Sequence, residues 1–334
     1  MPSFRKDGIF DYTLTLPASF IYSEIMDRPY NDYNNYLQDI FGEKTYKVSI
    51  RGGFTCPNID GTVAKGGCTY CNNASFVPSY IKRVMDIKEQ IDKGVDFLSD
   101  RYGADKFLAY FQSYSNTYDE VERLEELYSK ALDHEKIHGL VVGTRADCVP
   151  EPTLQLLEDI AKDYYVSVEY GIESVSDETL ERINRGHDFA TLVDAIERTK
   201  NRGIHIGSHL ILGFPWEDRD HWLHTADVVS SLGVEYTKIH HLHVVKGTKM
   251  AEQYQEEPFW TFSFDEWVQM VADFLERLSP EIVVGRMAGG APPNMLIAPD
   301  WQGKRHTHVV QAVIQELQKG DTRQGAKYQE KQVA

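Results

Sequence analysis

The sequence predicts an α/β protein: a partial (β/α)6 barrel of the TIM type with a C-terminal extension, or alternatively a doubly wound open sheet. Three observations lead there. Short apolar runs alternate with stretches of helical length, the pattern of βαβ units and a parallel sheet. Such crossovers share one hand, so six or seven successive units curl the same way. Polar residues also crowd the C-terminal end of one strand after another, where barrels of this type carry their sites.

The elements follow in order. TYKVSI (45–50) reads as the first strand and runs into a glycine-rich cysteine loop. KFLAYFQ (106–112), GLVVGT (139–144), YVSVEYGI (165–172), GIHIGSHLILGF (203–214) and VEYTKIHHLHV (234–244) are the next five, and IVVGRM (282–287) supplies a seventh. Helices are expected near 86–101, 118–134, 151–163, 176–184, 188–202 and 217–232. Residues 1–44 read as an N-terminal extension and 45–245 as the core barrel; 246–334 would complete the barrel and cover its substrate side. Trp260, Phe262, Phe264 and Trp267 read as the buried start of a helix that Ser263 or Asp265 caps. Residues 302–334 carry six Lys/Arg against three acids and read as a solvated, partly disordered end.

Composition sets outer bounds. In 334 residues, hydrophobic content is 42% and charged content 26%, as in globular enzymes. The net charge of −16 disfavours broad nonspecific binding to nucleic acid, which depends on neutralising phosphates. The opening MPSFRKDGIFDYTLTLP lacks the basic and apolar regions of a secretory signal, and no run approaches a membrane span. The expectation is a cytoplasmic enzyme without a membrane partner.

Cys56, Cys68 and Cys71 carry the chemistry. They form C-x11-C-x2-C and are three of the four cysteines in the chain. A structural zinc site closes with four protein ligands. Three cysteines on a [4Fe–4S] cluster leave one iron open to a small molecule. Zinc remains the alternative if a histidine completes the set, although His134 and His138 fall in a charged helix tail away from the cysteines. Gly52, Gly53, Gly61, Gly66 and Gly67 let backbone approach a bulky inorganic group. Cys148, in GTRADCVP, reads as a buried small hydrophobe.

Further motifs span Gly53 to Trp301: GFTCPNIDG, GGCTYC, QSYSNTY, EYGIES, NRGH, HLILGFP and APDW. With these, the chain resembles the radical S-adenosyl-L-methionine (radical SAM) superfamily. Within it, the chain is most similar to the YhcC/YtqA-like group, related to the Elongator-type and coproporphyrinogen dehydrogenase-type enzymes. The superfamily's usual spacing is C-x3-C-x2-C; the longer x11 loop is a mark of this group.

The resemblance implies a barrel of the radical SAM kind and roles for particular residues. Cys56, Cys68 and Cys71 would hold one [4Fe–4S] cluster, with the methionine end of SAM on the open iron. Gln112 and Ser113 occupy the place of the segment that contacts the methionine amino group. Glu173 falls where a strand residue holds the ribose hydroxyls. Arg185 matches the arginine that pairs with the methionine carboxylate. Ile211 to Gly213 would offer backbone to the adenine, and Tyr70 would pack on it. His209, counted among the SAM contacts, stands where some relatives carry Asp. The group further implies a reductant such as flavodoxin or ferredoxin, and tRNA as a possible partner through wobble-uridine side-chain modification. A small-molecule metabolite is the alternative substrate. A non-catalytic zinc- or cluster-binding interaction protein is the alternative of another class.

Overall fold

A computed structural model describes residues 28–76, 78, 80–81 and 85–330. Its main sheet has seven parallel strands: β1 (Thr45–Ile50), β2 (Lys106–Phe111), β3 (Ile137–Thr144), β4 (Tyr165–Glu173), β5 (His205–Leu212), β6 (Tyr236–His241) and β8 (Val283–Arg286). They lie in chain order, except that β7 (Val244–Val245) leaves to pair antiparallel with β9 (Leu296–Ala298). Seven strands in sequence order with one-handed crossovers give a curled half-barrel, a partial TIM barrel, and not a doubly wound sheet, whose order reverses at a switch point.

The helices in chain order are α1 (Tyr33–Phe41), α2 (Pro57–Asp60), α3 (Ile87–Tyr102), α4 (Val121–Leu132), α5 (Glu151–Ala161), α6 (Asp177–Arg182), α7 (Phe189–Thr199), α8 (Arg219–Ser231), α9 (Lys249–Glu256), α10 (Phe264–Arg277) and α11 (His306–Lys319). Their starts follow local chemistry. Asp86, Ser176, Asp188, Asp218 and Thr248 each cap α3, α6, α7, α8 and α9 in turn, accepting from a backbone N–H of the first turn. At α10 Ser263, not Asp265, is the cap, in a reciprocal capping box with Glu266.

Two apolar layers form. The outer one lies between sheet and helices and includes Phe107, Val142, Val168, Leu210, Ile239, Trp267 and Phe274. The second includes Tyr33 and Leu37 of α1 with Leu108, Tyr110, Val141, Tyr165, Tyr236 and Val283 of the strands. α1 is tied to the last strand through Val284 N–H donating to Asn31 O at 2.7 Å. It contacts both edge strands, β1 and β8.

Three expectations change. The segment 302–334 does not form a solvated end as far as it is described. α11 buries Val309, Val313 and Leu317 against the core, and the chain after it is pinned by Gln324 N–H to Pro29 O and Gly325 N–H to Leu275 O. An apolar stripe at i, i+4 and i+8 outweighed the basic residues around it. His134 and His138 do not share a helix: α4 ends at Leu132, and His138 lies in β3. The aromatics before α10 divide, with Phe262 and Trp267 buried and Trp260 45% exposed.

Candidate active site

The site is built at the C-terminal ends of the strands. The loop after β1 carries Cys56 and Cys68 around α2, and Cys71 follows. Asn58, fully buried on α2, locks this loop to a distant turn. Its Nδ2 donates to Asn184 O at 2.6 Å and Arg185 O at 2.9 Å, and lies 3.6 Å from Cys68 Sγ. Asn184 answers by donating to Gly67 O at 2.8 Å, and Thr69 N–H donates to Ile183 O at 2.9 Å. Gly186 sits in the left-handed region with φ 79°, and a Cβ there would stand 2.6 Å from Asn58 Oδ1. The NRGH motif is thus the clamp on the cysteine loop.

The clamp aims Arg185. Its Nη2 donates to Gly171 O at 2.6 Å, and its Nη1 faces Cys68 Sγ at 3.8 Å. Nη2 lies 3.9 Å from Glu173 Oε1. Burial works against the guanidinium charge, yet Tyr70, Cys68 and Glu173 together hold its pKa above the ordinary value. Glu173 closes β4 at φ 65°, unusual for a non-glycine residue, where the β4–β5 register shifts. That irregularity turns the carboxylate toward the cavity, and it is the kind of strain that collects at functional sites.

One cavity of about 250 Å3 gathers these groups. Cys56, Cys68, Cys71, Tyr70, Gln112, Glu173, Arg185, His209 and Ile211 all line it. Ser113 and Gly213 are not among its lining residues; Ser113 is buried, and Gly213 lies against the Phe262 ring. Tyr70 meets Phe214 edge-on with centroids 6.1 Å apart. Cys148 is buried, its Sγ 3.7 Å from Asp147 Oδ1, and burial followed by that carboxylate pushes its thiol up to about 12.

Below the cavity lies a network that strand alternation hid. Glu169 of β4 is fully buried and accepts from Lys47 Nζ at 2.8 Å, Lys238 Nζ at 2.6 Å, Tyr110 OH at 2.6 Å and Tyr236 OH at 2.9 Å. His209 Nε2 stands 2.8 Å from it. Burial alone would raise the Glu169 pKa; Lys238, Lys47 and His209 hold it well below the carboxylate range. Burial brings Lys238 down to about 7. Sequence reading noted His209 but did not single out Glu169, Lys47, Lys238, Asn58 or Arg286. The available signal was a lysine in the middle of each of two strands, TYKVSI and YTKIHH, whose neighbours carry no other ionised side chain.

The cavity fits a cationic cluster and a polar ligand. Burial first, then the Cys68 thiol, Glu173 and Cys56, push the Cys71 thiol up to about 12, a cost that an added cation bound at Cys71 would offset. Among the described residues no three His, Cys, Asp or Glu side chains are grouped to hold a single metal ion. A cube spreads its cysteines over separate irons and does not require that grouping. Among the described residues, Arg185 Nε and Arg145 Nη1 are buried without a partner on residues that line the cavity, and such groups await a ligand.

The half-barrel thus opens at its strand ends on a cavity lined by three cysteines, Glu173 and Arg185. Residues 61–229 match the Radical SAM superfamily, and residues 234–319 match the Radical_SAM C-terminal domain. The uncharacterized protein YtqA of Bacillus subtilis (strain 168) is 37% identical over 310 residues, covering 93% of this chain and 96% of that protein. Protein YhcC of Escherichia coli (strain K12) is 37% identical over 282 residues, covering 84% and 90%. Among solved structures, the archaeal Elp3 of Methanocaldococcus infernus, with an N-terminal deletion, superposes with a TM-score of 0.66 at 16% identity, covering 84% of this chain and 64% of that one. That likeness is one of fold. The chain belongs to the radical SAM superfamily and is a radical SAM enzyme. Membership implies a [4Fe–4S] cluster, SAM and a source of electrons. Among the described residues no helix is long and apolar enough to cross a membrane.

Proposed function

We propose that this enzyme modifies tRNA at the wobble uridine, converting a carboxymethylaminomethyl side chain to the aminomethyl form. Cys56, Cys68 and Cys71 hold the cluster, and Cys148 stays outside the ligand set. A bound, reduced cluster would supply the electron for reductive cleavage of SAM, the source of radical chemistry on the substrate.

The chain's own residues bind and orient. Arg185, fixed through Gly171 and the Asn58 clamp, forks onto the methionine carboxylate. Glu173 accepts from the ribose hydroxyls. Gln112 meets the methionine amino group, while Ser113 supports that turn from behind. Ile211 and the backbone up to Gly213 take the adenine edge, and Tyr70 packs on its face. His209, oriented by Glu169, presents its other ring nitrogen to the substrate half of the cavity. Residues 246–330 cover that half, with Arg286, Gly289, Gly290 and Ala291 as their share of the wall. Flavodoxin or ferredoxin supplies the electron, and the reaction belongs in the cytoplasm.

The observation that carries the enzymatic part is that one cavity holds all three motif cysteines together with Glu173 and Arg185. The tRNA part is supported by the motif likeness to the Elongator-type branch and by the shared fold with Elp3. The net charge of −16 favours a second reading, a small-molecule substrate. Mass spectrometry of tRNA nucleosides from a deletion strain decides between them. Accumulation of the carboxymethylaminomethyl nucleoside supports the proposal. An unchanged nucleoside profile refutes it.

A further inference from the structure

Three adjacent strands place basic side chains in one row. His209 of β5 is in register with Lys238 of β6, and Lys238 is in register with Arg286 of β8. The β6–β8 register shifts between Thr237 and Lys238, and His209 and Arg286 both line the cavity, so the two ends of this row face the interior of the half-barrel. Unopposed like charges across strands are destabilising. Two of the three are answered by one carboxylate, since Lys238 and His209 both turn to Glu169, at 2.6 and 2.8 Å. Arg286 is not. It lines the cavity, is exposed to solvent at the strand end, and makes no side-chain hydrogen bond or ion pair among the described residues. The other carboxylate that lines the cavity is engaged elsewhere: Glu173 faces Arg185 at 3.9 Å.

The wall beside Arg286 is polar without being acidic. His240 and His243 line it, and His240 Nε2 is buried with no partner among the described residues. The loop after β8 closes on them: a Cβ on Gly289 would lie 2.6 Å from His243 Cε1 and 2.9 Å from its Nδ1, so only glycine lets backbone rest against that ring. Burial first, and then Arg286, keep both imidazoles neutral, His243 at about 4 and His240 well below its ordinary value. The fixed charge on this wall is therefore that of Arg286.

We infer that Arg286, flanked by His240 and His243, is the subsite that receives an oxyanion of the substrate, a carboxylate or a phosphate. A guanidinium presents a planar fork that matches either group, and an unpaired one at the rim of a cavity needs only the ligand to complete it. The neutral imidazoles add hydrogen bonds without competing for the anion. This assignment rests on the reading of the cavity as the place where SAM and substrate meet, with Arg185 serving the SAM carboxylate. It does not depend on the substrate being tRNA.

The test is arginine modification by phenylglyoxal of the anaerobically reconstituted full-length protein, with the Arg185 and Arg286 peptides followed separately by mass spectrometry. SAM alone should protect Arg185 and leave the Arg286 rate unchanged. Adding acetate or inorganic phosphate to the SAM-loaded protein should then slow modification of Arg286. Protection by acetate assigns a carboxylate, and protection by phosphate assigns a phosphate. If neither anion slows it, or if SAM alone protects Arg286 as fully as Arg185, the inference is wrong. A further arm adds 5-carboxymethylaminomethyluridine or 5-aminomethyluridine. Protection by the first alone supports both the subsite and the wobble-uridine reading. Protection by acetate or phosphate but by neither nucleoside keeps the subsite and counts against that reading.

Discussion

Glu169→Gln should be the most destabilising isosteric change in the barrel. The carboxylate has no solvent exposure and has five polar partners within 2.6 to 2.9 Å. An amide of the same shape removes the one charge that, among the described residues, answers Lys47 and Lys238, whose side chains are 15% and 11% exposed. It also points an NH2 donor at groups that are themselves donors. Breaking a buried ion pair from one side costs about 3–5 kcal/mol, against a total stability of roughly 5–15 kcal/mol for a typical domain. The assay is anaerobic urea denaturation of reconstituted protein, read as a fall in midpoint at unchanged slope. Adding Lys47→Met and Lys238→Met to Glu169→Gln should recover much of the loss, because the stranded charges go with it. A loss below about 1 kcal/mol, the scale of a surface pair, would show that water screens the network and would refute this reasoning.

Further outcomes follow from the same geometry. Arg185→Ala and Glu173→Ala should keep iron content and weaken SAM binding about ten- to a hundredfold, measured by titration, since a charged hydrogen bond contributes roughly 1.5–3 kcal/mol; normal affinity in both would remove them from the site. Gly171→Ala should also weaken SAM binding with little change in melting temperature, because its Cβ would stand 2.5 Å from Glu173 Oε1 and 2.7 Å from Arg185 Nη2, the movable ends of two side chains. His221, 3.2 Å from Glu217, has a pKa raised first by that carboxylate's hydrogen bond. A raised folded-state pKa gives stability that is full below the unfolded value near 6.5 and is lost as pH rises through the folded value. Denaturation midpoints should therefore fall as pH climbs above about 6.5, and His221→Gln should flatten that slope.

Much of the fold was legible because strand and helix periods alternate so regularly. Each expected strand is present, and β1 matches residue for residue at 45–50. Helix starts were harder: α4 begins at Val121 and α8 at Arg219, because backbone ahead of a helix carries the same polar residues as its first turn. The tail was misread because its charge was counted before its Val309, Val313 and Leu317 stripe. At the site, cysteine spacing and the NRGH motif named residues that do meet in one cavity. Lys47, Lys238 and Arg286 escaped notice because a lysine or arginine in a strand ordinarily points to water. Here Glu169, three strands away from Lys47 in the sheet, holds two of them inside, and only the curl of the half-barrel brings those strands together.

The central claim is that three cysteines hold a cluster whose fourth iron is left for SAM. Iron and sulfide analysis, with electron paramagnetic resonance of the reduced protein, tests it on Cys56→Ala, Cys68→Ala, Cys71→Ala and Cys148→Ala, each reconstituted anaerobically. The account predicts roughly four iron and four sulfide per chain in the wild type and in Cys148→Ala, with a resonance that shifts when SAM is added, and loss of the intact centre in the other three. Loss of the cluster in Cys148→Ala, or a wild-type signal indifferent to SAM, would contradict it.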